Sequence, residues 1–208
     1  MELVLMRHAP TAGNLERRYL GATDEPLCAR GESLARAAGS IPHIDCVFIS
    51  PLLRARQTAA ICFPQARRIV LDELREMDFG RFEGLRFEDL RDDDAYRTWV
   101  EGDCTERCPE GESRTEFIRR TMRAIEQVVA LSYKCRASCA IVVAHGGTVM
   151  AALTAFATPS HDYFDWHVAH CCGWRAHVER DANGKLRLVE PQPFNDLGFL
   201  NSSVFFDL

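Results

Sequence analysis

Arg7 and His8 close the apolar run Glu2-Leu-Val-Leu-Met6 and are followed at once by Ala9-Pro10-Thr11, a composition that turns a strand into a helix. A helix start presents unpaired backbone N–H groups and a positive dipole end, which is where an anion is most readily held. Arg7 adds a planar cation with five donors, and His8 adds an imidazole whose ordinary pKa leaves it a neutral nucleophile near pH 7. Two further junctions carry related groups. Arg54 lies just after Ser50-Pro51, and His145-Gly146-Gly147 follows the apolar run Ala140–Ala144. In an open α/β sheet, ligands bind beyond the carboxyl ends of the strands, so residues far apart in sequence can meet there. Two arginines, two histidines and three helix starts then converge on one anion, and the chemistry this suits is phosphoryl transfer through histidine.

The elements that must position these residues are legible as hydrophobic pattern. Short apolar runs at Leu3–Met6, Cys46–Ile49, Arg68–Leu71 and Ala140–Ala144 read as buried parallel strands. Helical patterns lie between them at Arg30–Gly39, at Pro51–Cys62 and from about Ser113 to Ser132, where Ser113-x-x-Glu116 forms a capping box. Ser50-Pro51 is expected to cap the helix that carries Arg54 in its first turn. The glycines at 146 and 147 are expected to admit a ligand close to the backbone before a helix begins at about Thr148. Cys172–Arg180 and Lys185–Glu190 flank the turn signal Asp181-Ala-Asn-Gly184 and read as a hairpin at the sheet edge. The alternation predicts an α/β fold of three layers, α/β/α, with a mainly parallel central sheet. One domain over residues 1–208 is expected, with a lid-like insertion at about 92–111 that contains Tyr96 and Trp99.

Bulk properties narrow the function classes. A net charge of −5 and the absence of a Lys/Arg run argue against nucleic-acid binding and a membrane-surface patch. No apolar stretch approaches the roughly 18 residues of a membrane span, and Met1-Glu2-Leu3 lacks a basic leader, so a soluble cytoplasmic protein is expected. Nine cysteines with no secretory signal point to reduced thiols. Cys104/Cys108 and Cys135/Cys139 have a spacing that occurs in zinc sites, but together with Cys171-Cys172 they form no known finger pattern, and no metal is expected. The apolar tail Phe199–Leu208 can pack on its own domain or on a second subunit, so monomer and homodimer both stay open.

Four ordered segments make a family resemblance. Leu5-Met-Arg-His-Ala-Pro-Thr11 with Asn14, Ser50-Pro-Leu-Leu-Arg-Ala-Arg-Gln-Thr58, Leu74-Arg-Glu-Met-Asp-Phe-Gly80 with Phe82-Glu-Gly84, and Val143-Ala-His-Gly-Gly-Thr148 resemble the motifs of the histidine phosphatase superfamily, also called phosphoglycerate mutase-like. Tyr96-x-x-Trp99, Pro109-Glu-Gly-Glu-Ser113 and Cys172-Gly-Trp174 further resemble its α-ribazole phosphatase branch, which acts in cobalamin biosynthesis. Ala9 departs from the glycine usual after the nucleophile.

The resemblance implies a phosphomonoesterase acting on a small-molecule phosphate, α-ribazole 5′-phosphate being one candidate, without cofactor or metal. It makes His8 the nucleophile, with its other ring nitrogen fixed by a backbone carbonyl. Arg7, Arg54 and His145 become the phosphate clamp, joined by Asn14 and the backbone at Gly146. Glu76 becomes proton donor and later base, with Glu73, Asp78 and Glu83 as nearby rivals. Thr11, Thr23 and Arg81 are candidates for the substrate pocket, and Tyr96 and Trp99 could stack on a base. His43, His161, His167, His170 and His177 are expected to be structural or exposed. The competing readings are a cofactor-dependent phosphoglycerate mutase and a phosphate-binding module without catalysis.

Overall fold

Alternation along the central strands decides which helices cover which face. In the computed structural model, which describes residues 1–201, the strands are β1 (Glu2–Arg7), β2 (Cys46–Ile49), β3 (Arg67–Val70), β4 (Cys139–Ala144), β5 (Ala157–Thr158), β6 (Gly173–Arg180) and β7 (Leu186–Phe194). The helices are α1 (Ala12–Leu15), α2 (Ala29–Ala38), α3 (Leu53–Cys62), α4 (Phe87–Leu90), α5 (Asp94–Glu101), α6 (Arg114–Lys134) and α7 (Gly146–Phe156). Leu3, Leu5, Phe48, Ala140 and Val142 face a core with Ala124, Ile125 and Val128 of α6 and Val149, Ala152 and Leu153 of α7. Val4, Met6, Val47, Ile49, Ile141 and Val143 face the opposite core, with Ala35 and Ala38 of α2 and Ala55 and Ala59 of α3. Successive side chains of a strand point to opposite faces, so both faces of these strands are covered and both sets are apolar.

The sheet order is β3-β2-β4-β1-β6-β7-β5. The strands from β3 to β1 pair in parallel, whereas β6 runs antiparallel to both β1 and β7. The expected three-layer α/β fold with a mainly parallel centre and a hairpin at one side is therefore what the chain forms. Parallel pairing brings the carboxyl ends of β1, β2 and β4 to one edge of the sheet. Antiparallel pairing brings the start of β6 to the same edge, with Gly173 opposite Met6.

Helix boundaries differ from expectation where residues of other elements intervene. Ser113 caps α6 through the box with Glu116, and both reciprocal bonds form. Ser50 does not cap α3. That helix starts at Leu53, its N-cap residue is Leu52, and the Leu53 N–H donates to Asp24 Oδ1 at 2.6 Å. The Ser50 hydroxyl is used elsewhere, as described below. Helix α7 begins at Gly146, two residues before the expected start.

Residues 92–111 contain α5, whose Tyr96 and Trp99 are only 3% and 4% exposed. They pack with Met77, Phe82, Leu90, Cys108, Phe117 and Ala151 in a third apolar cluster. The Tyr96 hydroxyl bonds the Tyr19 hydroxyl at 2.6 Å, and the Trp99 indole N–H donates to Glu106 O at 3.1 Å. The expectation that these rings could stack on a base is corrected: burial and hydrogen bonding commit both to the core. Cys108 lies in the same cluster, and burial pushes its thiol up to about 12.

At the chain's end, Phe199 packs 5.0 Å from the Phe194 ring and Leu200 is buried, while residues 202–208 lie outside the described residues. No helix among the described residues is long and apolar enough to cross a membrane. Truncating Trp99 to alanine should cost about 3 to 5 kcal/mol of stability, as for a large aromatic in a closed core. Urea unfolding measures this, and a loss below about 1 kcal/mol would show that α5 is not part of the core.

Candidate active site

Backbone bonding at the end of β1 fixes the first pair of residues. Arg7 N–H donates to Cys172 O, Arg7 O accepts from Cys171 N–H, and His8 N–H donates to Ala144 O, each at 2.9 to 3.0 Å. The chain is thus held on both sides, by the residues before β6 and by the end of β4. The Arg7 Nη1 donates to Val168 O at 2.7 Å, and its Nε is buried without a partner. A Cβ at Gly146 would come within 3.3 Å of that Nε, so the first residue of α7 must be small for the guanidinium to lie where it does.

His8 is buried, and its Nδ1 lies 2.6 Å from Ala9 O. A carbonyl only accepts, so Nδ1 carries the proton and the lone pair is on Nε2. Burial is the largest influence holding the His8 pKa well below its ordinary value, followed by the charge of Arg54 and the neighbouring His170. The ring is therefore neutral at pH 7. Ala9 lies outside the left-handed region and is fully buried, with its N–H donating to Thr58 Oγ1 at 2.9 Å. Alanine fits where glycine was expected because this turn needs no positive φ.

Arg54 is fully buried. Its Nη1 donates to Thr23 O at 2.6 Å, and its Nη2 donates to Leu20 O at 3.2 Å and Gly21 O at 2.9 Å. Its Nε is buried without a partner. The loop that supplies these carbonyls is gripped by one carboxylate. Glu83 accepts from the N–H groups of Gly21, Ala22, Thr23 and Phe79 and from the Thr23 hydroxyl. Gly21 is obligatory there, since a Cβ would sit 1.7 Å from Met77 O.

His145 is fully buried at the N-cap position of α7, its ring 5.0 Å from that of His8. Its Nε2 lies 2.7 Å from Ser50 Oγ, which also accepts from Leu52 N–H at 3.3 Å. With the serine hydroxyl donating to Nε2, Nδ1 carries the proton, and Nδ1 is buried without a partner. Three polar atoms of Arg7, Arg54 and His145 are thus buried and unsatisfied within one site. Buried donors of this kind normally have a partner, and an anion is the partner they suit.

Glu76 closes the constellation. Its Oε1 accepts from Met77 N–H at 3.0 Å and its Oε2 from Gly147 N–H at 2.9 Å. A Cβ at Gly147 would lie 2.3 Å from Oε1, so the close approach this glycine allows is to Glu76 rather than to a ligand. Burial raises the Glu76 pKa and is opposed by those two bonds and by the charges of Arg54 and Arg7. The rival carboxylates are occupied: Glu83 with the backbone donors above, Glu73 with Arg123, and Asp78 with Gly80 N–H.

The remaining candidates divide. Asn14 and Thr11 form a capping box on α1, in which Asn14 Oδ1 accepts from Thr11 N–H at 3.2 Å. That leaves the Asn14 amide NH2 as the end able to donate to an anion. Thr23 serves Arg54 and Glu83, and Arg81 is half-exposed and paired with Asp93 at 2.8 Å. His170 is the residue the sequence reading set aside. Its ring is 5.4 Å from that of His8, its Nδ1 donates to His8 O at 2.9 Å, and burial beside Arg7 lowers its pKa to about 4. The available signal was positional: a residue just before a strand antiparallel to β1 must lie beside the end of β1.

The model of the histidine phosphatase superfamily (branch 1) matches residues 3–190. The "Probable phosphoglycerate mutase GpmB" of Enterobacter sp. (strain 638) is 35% identical over 153 residues, covering 70% of each chain. The crystal structure of the α-ribazole phosphatase from Shigella flexneri superposes with a TM-score of 0.71 at 26% identity, over 90% of this chain and 95% of that one. That of phosphoglycerate mutase from Thermus thermophilus gives 0.66 at 33% identity, over 90% and 97%.

Three imidazoles with lowered pKa values, two buried and His170 half-buried, make stability fall in acid. The unfolded chain takes up protons at the ordinary histidine pKa of about 6.5, which the folded His8, His145 and His170 resist. Their contribution is fully present above that value and is lost as pH falls through their folded pKa values, about 4 for His170. The melting temperature should drop between pH 7 and 4, and His170→Asn should flatten the slope. An unchanged slope in that variant would contradict the assignment.

Proposed function

Because the chain belongs to the histidine phosphatase superfamily, we propose that it hydrolyses a phosphomonoester of a small metabolite through a phosphohistidine formed on His8. The observation that carries this reading is the state of the His8 ring. Its Nδ1 proton is held by Ala9 O, and its Nε2 lone pair is kept unprotonated by burial among cations. An uncharged nucleophile adds no repulsion against a phosphate dianion, and the positive charge that draws the dianion comes from the neighbouring arginines.

In this scheme Arg7, Arg54 and Nδ1–H of His145 hold the equatorial oxygens, with Asn14 and the α7 N-terminus at Gly146 as further donors. All are in place before substrate arrives, so little reorganisation is left for the transition state. Nε2 of His8 attacks phosphorus in line, and the bond to the ester oxygen breaks. Glu76, whose pKa burial shifts toward the protonated form, gives its proton to the departing alkoxide. The resulting carboxylate then takes a proton from water as that water attacks phosphohistidine, which releases phosphate and restores the acid. Every charge in the scheme is met by a side chain of this protein, and no step calls for a metal.

With Tyr96 and Trp99 in the core, residues 92–111 hold no exposed aromatic for the base of α-ribazole 5′-phosphate. The reading therefore rests on phosphate chemistry, and that nucleotide is one candidate among small esters. The relatives named as mutases favour a second reading, in which phosphohistidine returns its phosphoryl group to an acceptor alcohol instead of water. The two differ only in what discharges the phosphoenzyme.

Hydrolysis of 4-nitrophenyl phosphate should be unaffected by EDTA and should fall at least 10³-fold in His8→Ala, on the scale of a lost nucleophile. Activity that survives this substitution would overturn the mechanism. Discharge of trapped phosphohistidine by water alone supports hydrolysis, and discharge only on adding acceptor supports the mutase.

Glu76→Gln should lower turnover by about 10²- to 10⁴-fold, the usual worth of a positioned acid. The sign of its pH effect follows from the raised pKa. Activity of the native protein should decline as pH rises through the Glu76 pKa, above the ordinary carboxylate range, and the variant should lose that limb. An alkaline limb unchanged in Glu76→Gln would show that another group is the acid.

A further inference from the structure

We propose that Arg114, stacked on Tyr163 and Phe164, binds a second anionic group carried by the alcohol half of the phosphate ester. The proposal rests on the assignment of Glu76 as the proton donor to the leaving oxygen.

Arg114 is the first residue of α6, where the helix dipole disfavours a cation. Its guanidinium carbon lies 4.6 Å from the centre of the Tyr163 ring and 5.0 Å from that of Phe164. The two rings hold the guanidinium in place without using its N–H groups as an ion pair would. Its Nη2 is buried without a partner, and among the described residues Arg114 forms no ion pair. A buried donor left unpaired is costly, and more so on a charged group. The arrangement is that of a cation preset for an anion that the protein itself does not supply.

The stack is tied to the acid side of the site. The Tyr163 hydroxyl lies 3.4 Å from Gly147 O as donor, and Gly147 N–H donates to Glu76 Oε2 at 2.9 Å. The cations that bear on His8 are instead Arg54 and Arg7. With Glu76 as the proton donor to the bridging oxygen, the alcohol half of the ester lies on the Glu76 side of the phosphorus, the side to which this stack is tied. Phe164, 55% exposed, offers an apolar wall for a short carbon chain. The guanidinium fork matches either a carboxylate or a second phosphate in bidentate fashion. The implied substrate is a phosphomonoester of a small alcohol that also bears such a group.

Matched probes test this by calorimetry in His8→Ala, where no turnover intervenes. 2-Carboxyethyl phosphate and n-propyl phosphate are alike in length and differ in the terminal carboxylate, and 1,3-propanediol bisphosphate replaces it by phosphate. At least one of the two doubly anionic probes should bind tenfold or more tightly than n-propyl phosphate, and the stronger identifies the group. In His8→Ala/Arg114→Gln that preference should shrink to within twofold, with an intermediate value for His8→Ala/Arg114→Lys, which keeps the charge without the fork. The lysine variant also serves if the glutamine variant does not fold. A preference near one in His8→Ala, or a preference that either Arg114 variant leaves unchanged, overturns the proposal. Hydrolysis of n-propyl phosphate by the unmodified protein is scored separately, so loss of the phosphatase reading and loss of the Arg114 subsite give different results.

Discussion

Positive charge buried without a carboxylate against it is the constraint on which this site depends. Arg54 is wholly enclosed and Arg7 half-buried, and among the described residues neither forms an ion pair. Taking a cation out of water costs several kcal/mol unless other groups replace its hydration. Here backbone carbonyls do so: Leu20, Gly21 and Thr23 for Arg54, and Val168 for Arg7. Carbonyl dipoles hold a guanidinium in place without cancelling its charge, which stays available to a dianion. A carboxylate in the same position would have neutralised it and repelled the substrate.

The rest of the architecture follows from keeping those carbonyls where they are. The 20–23 loop has no regular structure, so Glu83 collects its N–H groups and Gly21 lets it press on Met77. The residues before β6 brace the other arginine, with Val168 O on its side chain and Cys171 and Cys172 on its backbone. His170, in the same stretch, donates to His8 O. An irregular segment over a strand end is thus made as definite as the strand by bonds to it.

The same burial sets proton positions. It pushes the imidazoles toward their neutral forms and the Glu76 carboxyl toward its protonated one, so cations that would favour ionised Glu76 are opposed by desolvation. Backbone N–H bonds from Met77 and Gly147 moderate the rise without removing it. A neutral imidazole beside a carboxyl shifted toward its protonated form is the outcome of one low-dielectric enclosure acting on groups of opposite type.

By itself the sequence determined the bounds of four parallel strands to within two residues, the long capped helix α6, and the strand ends at which Arg7, His8, Arg54 and His145 stand, whereas β3, read as buried, is an exposed edge strand. These depend on local pattern: runs of apolar residues, a capping box, and the rule that parallel strands end on one edge. Tertiary structure alone decided which polar atoms meet. Ser50 looked like a helix cap and instead bonds His145, because Asp24 reaches α3 from a distant loop. Tyr96 and Trp99 looked available to a ligand and lie in the third core, whose buried members run from residue 77 to 151 with Tyr19 and Tyr163 packed against them. Glu83 read as a rival acid and is a brace, and His170 read as peripheral and bonds His8. Spacing along a chain records which face of its own element a side chain takes. Burial and hydrogen-bond partners come from other elements, and those are known only once the sheet order is formed.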